Sequence, residues 1–194
     1  MSAFAKLSAG FLLIMGLSLA GPAPGQSLPG EEPGSAATVS AIESIDQSGR
    51  RRTFTELKGK QGLIVAFGRS ADWCPICQAR LIELNKAEPD FAKEGFNLAA
   101  VTGDKPDALA RFAGRRSISF PLLADPELEI AQNFGVIEAE GPHAHDNGDR
   151  PALLIIDADG VIRGALKEAD LKDRGIVEAI MAVMHPEDGV EKLP

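Results

Sequence analysis

The apolar run Gly62-Leu63-Ile64-Val65-Ala66-Phe67 leads within a few residues into Trp73-Cys74-Pro75-Ile76-Cys77, and a helical repeat follows at once. A run of that length and branching suits a strand covered on both faces, as a parallel sheet requires. The two cysteines therefore stand where a buried strand hands over to a helix. Pro75 suits the first helical position, where its missing N–H costs nothing and its fixed φ already fits. Cys74 is placed as the helix cap, and the positive end of the helix favours a thiolate there. Cys77 falls about one turn further on, within reach of a disulfide to Cys74. The spacing reads as a redox dithiol in which Cys74 attacks and Cys77, expected to be less open to solvent, resolves.

Two blander readings compete. A structural disulfide across so short a loop gains the least from loop entropy. A zinc half-site needs two further ligands, and beyond carboxylates the chain offers His143, His145 and His185. The spacing His143-x-His145 does not match the usual finger pattern.

With 194 residues, 44% of them hydrophobic and 25% charged, the chain is large enough for one globular domain with a proper core. Residues 1–20 carry Lys6, then the apolar stretch 11–19, then small residues at Ser18 and Ala20. That is the layout of a signal peptide cleaved after Ala20, with an uncleaved membrane anchor as the alternative. The expected location is export, to the periplasm. Residues 21–37 are rich in Pro, Gly, Ser and Glu and read as a flexible linker. The domain is expected over 38–188, with a tail at 189–194. No stable membrane insertion is expected after cleavage.

Export makes a lone Cys-x-x-Cys pair informative, because structural disulfides of exported proteins usually come in larger even sets. Loss of Lys6 with the signal takes the formal charge from -8 to -9, which argues against nucleic acid as a partner. Arg50-Arg51-Arg52 is the one basic run and reads as a solvated turn entering a strand.

Alternation of strand and helix marks an α/β domain. Short extended pieces are expected near 39–45 and 52–54, with a turn at 56–60 between them and the apolar run. The helix after the cysteines is expected to stop near Pro89 and resume to Gly95. Residues 97–102 form a second buried strand, and Asp104-Lys105-Pro106-Asp107 opens the next helix. A short extended segment at 120–125 precedes a helix over 126–134. A polar loop over 138–150 is long enough to border an active site. Two apolar runs, 151–156 and 161–166, flank Asp157-Ala158-Asp159-Gly160 and predict a hairpin. One amphipathic helix over 171–184 closes the domain.

This order, with Trp73-Cys74-Pro75-Ile76-Cys77 and Arg150-Pro151-Ala152-Leu153-Leu154-Ile155-Ile156-Asp157-Ala158-Asp159-Gly160, resembles the thioredoxin-like superfamily. The segment Phe120-Pro121-Leu122-Leu123-Ala124-Asp125 is most similar to its redoxin branch, the alkyl hydroperoxide reductase/thiol-specific antioxidant (AhpC/TSA) family. The resemblance implies an α/β thioredoxin-like fold: a central mixed β-sheet flanked by helices, with an N-terminal β extension. It also implies that Pro151 is the cis proline facing the dithiol, so that Arg150 borders a docking groove with Trp73 and Pro75. Trp73 has a competing role as a core residue.

Three functions follow from the resemblance. The first is thiol–disulfide exchange with protein disulfides or dithiols, through catalytic Cys74 and Cys77, with a redox partner to recycle the pair and no cofactor or metal. Asp72 should disfavour the Cys74 thiolate, and Arg69 and Arg80 should favour it. The second is a peroxidase with antioxidant activity. Peroxiredoxins resemble one another in Pro-x-x-x-Thr-x-x-Cys, whose residues position and polarise the peroxide. Aligned on Cys74, those positions hold Phe67 and Ala71, Ser70 is one place out of register, and Pro151 stands where the family's arginine falls. The third is copper delivery with His143 or His145, although those proteins resemble Cys-x-x-x-Cys, one residue longer.

Overall fold

The computed structural model describes residues 42–136 and 151–185. Five strands form one mixed sheet in the order β5-β4-β3-β6-β7, and β1 and β2 form a separate hairpin. The central strand β3 (Gly62–Gly68) pairs in parallel with β4 (Phe96–Thr102) and antiparallel with β6 (Pro151–Asp157). Outside these lie β5 (Leu122–Ala124), parallel to β4, and β7 (Ile162–Lys167), antiparallel to β6. The unbroken apolar character of β3 follows from its position. Leu63, Val65 and Phe67 enter one core and Ile64 and Ala66 the other, so both pleats are buried.

Helix α2 (Pro75–Lys93) and α3 (Pro106–Arg116) cover one face, where Leu84, Phe91, Leu109 and Phe112 meet Ile64 and Ala66. The other face takes α1 (Phe54–Leu57) and α4 (Glu129–Asn133) through Phe54, Leu57, Ile130 and Ala131. The chain closes with α5 (Glu168–Arg174) and α6 (Ile176–Met184) on the α2 side. The hairpin of β1 (Glu43–Ile45) and β2 (Arg51–Thr53) is the expected N-terminal β extension. It is bound to the sheet edge by the Asp46–Leu123 bridge and by the Gln47 amide, which donates to Phe120 O and accepts from Leu122 N–H.

Several boundaries differ from expectation. Phe54 begins a helix rather than ending a strand, because Glu56 reaches back to accept from the Thr53 N–H and hydroxyl at 2.9 and 3.0 Å. Helix α2 runs through Pro89 without stopping, carried by buried Ala87 and Phe91 one turn apart. The last helix is two, divided at Gly175, whose φ of 83° is cheap for glycine alone. Helix α4 is shorter than 126–134, and Arg52 is mostly covered and ion-paired to Asp46 at 3.5 Å while Arg50 and Arg51 stay in solvent.

Candidate active site

The parallel strands β3 and β4 end side by side, with Gly68 opposite Thr102. From there the chain crosses to α2 through residues 69–73. Cys74 is the cap of α2 and Pro75 its first-turn proline, as the sequence predicts. Cys74 Sγ accepts from Cys77 N–H at 3.3 Å, and the two sulfurs are joined in a disulfide. A cap sulfur facing the helix N-terminus is where backbone N–H dipoles would stabilise the thiolate after reduction.

Both cysteines are buried in the bridged state, Cys74 at 1% and Cys77 at 8% residue exposure, so Cys77 is not the more covered residue of the two. Arg69 lies next to Cys74, with its Nη2 3.9 Å from Cys74 Sγ. Its guanidinium also stacks over Trp73 at 5.5 Å from the ring centre. Trp73 is 64% exposed and Ile76 67%, so Trp73 is not a core residue, and each bridged cysteine has an exposed apolar residue directly before it in sequence. Arg80 does not reach the dithiol. It donates to both carboxylate oxygens of Glu168 at 2.7 Å and ties α2 to α5.

The crossing segment is clamped from two sides. Asp104 accepts from Ser70 Oγ–H at 2.7 Å, from Ala71 N–H at 2.5 Å and from Thr102 Oγ1–H at 2.8 Å. Ser70 Oγ in turn accepts from the N–H groups of Asp72 and Trp73 at 3.0 and 3.1 Å. Opposite, the Gln78 amide on α2 donates to the carbonyls of Ala71 and Asp72 at 3.0 and 2.8 Å. Ser70, Thr102 and Asp104 are all buried. Sequence reasoning missed this set, reading Asp104 only as a helix opener. The cap of α3 is Lys105, with Pro106 after it. The readable signal was the pair of short polar side chains Thr102 and Asp104 on an otherwise apolar strand end.

Beside the dithiol a cleft of about 390 Å³ opens toward the α4 face. Its floor is apolar, with Phe67, Val101, Ala131 and Val136, and Arg69 and Trp73 stand at its rim. Asp125 also lines it, but its carboxylate accepts from Ile130 and Ala131 N–H and caps the first turn of α4.

Pro151 begins β6 opposite Lys167 of β7. Leu153 pairs with Ala66, and continuing that antiparallel register brings Pro151 to the end of β3 from which residues 69–73 depart. Arg150, the isomer of the Arg150–Pro151 bond, and His143 and His145 lie outside the described residues. Among the described residues no group of three or more His, Cys, Asp and Glu gathers as a metal set, and no helix is long and apolar enough to cross a membrane.

The AhpC/TSA family model matches residues 33–165. The chain is 29% identical over 119 residues to peroxiredoxin Bcp of Escherichia coli strain K12, covering 60% of this chain and 74% of that protein. It is 26% identical over 132 residues to the thiol-disulfide oxidoreductase ResA of Geobacillus thermodenitrificans, covering 66% of this chain and 68% of that protein. Among solved structures, the bacterioferritin comigratory protein of Xanthomonas campestris, described for alkyl peroxide reduction, superposes with a TM-score of 0.63 at 18% identity. That match spans 78% of this chain and 94% of the other. At such identity the likeness is one of fold.

Proposed function

Since the chain belongs to the AhpC/TSA family, a family of thiol-based oxidoreductases, we propose that it exchanges disulfides with proteins through Cys74 and Cys77. The observation that carries this reading is the Cys74–Cys77 disulfide at the first turn of α2, flanked by exposed Trp73 and Ile76. An attacking and a resolving sulfur are then already neighbours, and a polypeptide partner has apolar surface to cover on both sides. In the reducing direction Cys74 thiolate attacks a substrate disulfide, and one substrate sulfur leaves as a thiolate and takes a proton. Cys77, deprotonated, attacks Cys74 Sγ of the mixed disulfide and releases the second substrate thiol. Two electrons pass to the substrate, and the Cys74–Cys77 disulfide is left for a dithiol partner to reduce.

Peroxide reduction is the second reading, favoured by relatives named peroxiredoxins. Against it, Phe67 and Ala71 are buried apolar residues where the peroxiredoxin pattern has Pro and Thr, and the Ser70 hydroxyl is already committed to Asp104 and to two backbone N–H groups. No hydroxyl is left there to polarise a peroxide.

Poising the pair in glutathione or dithiothreitol buffers gives the direction: near about -270 mV the protein is a reductant, near about -120 mV an oxidant. Stopped-flow oxidation of the reduced protein by hydrogen peroxide is expected to be no faster than for a free thiol. A much faster rate would overturn disulfide exchange as the main activity. We further propose that the protein acts after export, on the layout of residues 1–20. Amino-terminal sequencing of the protein from cell fractions tests this, with cleavage after Ala20 expected.

A further inference from the structure

A buried carboxylate is costly unless its lone pairs are used, and Asp104 uses both oxygens on the segment that carries the dithiol. Its donors are Ser70, Ala71 and Thr102. Because the single Ser70 proton is committed to Asp104, the Ser70 oxygen is turned to accept from Asp72 and Trp73. Every backbone N–H from Ala71 to Trp73 therefore ends on Asp104 directly or through Ser70. Arg69 joins the same anchor, since its carbonyl accepts from Gly103 N–H at 3.3 Å. Both halves of the Arg69–Trp73 stack are thus tied to the end of β4.

We propose that Asp104 is a positioning residue for the dithiol, acting through Ser70 and the 69–73 backbone to keep Arg69 against Cys74 Sγ. This rests on reading Cys74 as the attacking thiol. Two effects of Asp104 on that thiol have opposite signs. As a bare negative charge it disfavours the thiolate, whereas as an anchor it keeps a cation beside the sulfur and favours it. The anchor dominates, because Arg69 touches the sulfur while the Asp104 charge is shared among three hydrogen-bond donors. Among the described residues, the charges on neighbouring segments are Asp72 on the same segment, Asp125 across the cleft with its oxygens on α4 N–H groups, and Arg80, which is taken by Glu168.

The test uses the full chain with Cys77→Ser, so that Cys74 alone reports, and follows its alkylation by iodoacetamide against pH. Asp104→Asn should raise the Cys74 pKa, slowing alkylation near neutrality about threefold to tenfold. Thr102→Val should move it the same way, and Thr102→Ser, which keeps the hydroxyl, should not. In an Arg69→Gln background Asp104→Asn should add nothing further, since both act on one contact. A fall in pKa, no change, or full additivity with Arg69→Gln overturns the proposal. If Asp104→Asn does not fold, Ser70→Ala breaks the relay, leaves the carboxylate, and carries the same expectation. Exchange by the unsubstituted chain is measured separately with oxidised glutathione. Its absence defeats the thiol–disulfide reading, while normal exchange with an unmoved Asp104→Asn profile defeats this proposal alone.

Discussion

Arg69 sets its Nη2 3.9 Å from Cys74 Sγ and lays the same guanidinium over the Trp73 ring, so one exposed cation touches both the dithiol and the aromatic beside it. Among the described residues it forms no ion pair with a carboxylate. No described carboxylate therefore competes for that charge with the thiolate formed on reduction. Arg69→Gln should raise the Cys74 pKa by about one unit and slow reduction of a disulfide at neutral pH correspondingly. Arg80→Gln should leave that pKa in place, because Arg80 is committed to Glu168. The pH profile of Cys74 alkylation distinguishes them, and an equal response would mean that the net charge of the helix end, not contact, controls the thiol.

The two sulfurs should also separate by role. With oxidised glutathione, Cys77→Ser should accumulate a stable adduct on Cys74, since the mixed disulfide forms and nothing resolves it. Cys74→Ser should form its adduct at least about tenfold more slowly, because Cys77 lacks the helix-cap position and the Arg69 contact. Intact mass against time is the measurement. Similar rates would show that the two thiols are interchangeable as nucleophiles.

Local chemistry made the centre of the fold readable. The apolar run of β3, the Cys74 cap with Pro75, and the hairpin closing at Gly160 with φ 86° are each decided within a few residues. What escaped depends on distant partners. Arg69 and Arg80 stand one on each side of the cysteines in sequence, yet only the fold sends one to the sulfur and the other to Glu168, 88 residues away. Asp104 lies 34 residues beyond Ser70, so its grip on the crossing segment has no local signature. The burial of both cysteines has no local signature for the same reason: helix geometry places a residue on a turn, but not the distant groups that pack over it.

Pro89 is a case where tertiary packing overrides a local rule. Proline removes one hydrogen bond and crowds the preceding turn, at a typical cost of about 3 kcal/mol. The last turn of α2 persists because Phe91 is fully buried among Ile64, Leu84 and their neighbours. Pro89→Ala should therefore raise stability, by about 1 kcal/mol once the greater freedom of the unfolded chain is allowed for. Phe91→Ala should lower it by about 3–5 kcal/mol. Urea unfolding measures both. If Pro89→Ala destabilised the protein, the helix would owe its path through residue 89 to the proline.

Asp46 gives the fold a predictable acid dependence. Burial alone would push its carboxyl up, but hydrogen bonds from the Ser48 hydroxyl and from Arg50 and Ser48 N–H, with the Arg50 charge, outweigh that and hold it below the ordinary value. A carboxyl whose pKa is lower folded than unfolded contributes stability above the unfolded value, about 3.9, and loses it as pH falls through the folded one. Asp46→Asn should therefore cost on the order of 1–3 kcal/mol near neutral pH, and the gap to the unsubstituted chain should narrow in acid below the ordinary aspartate range. Urea midpoints across pH test this. A gap that stayed constant into acid would mean that Asp46 acts by shape and hydrogen bonding, with its charge making no contribution.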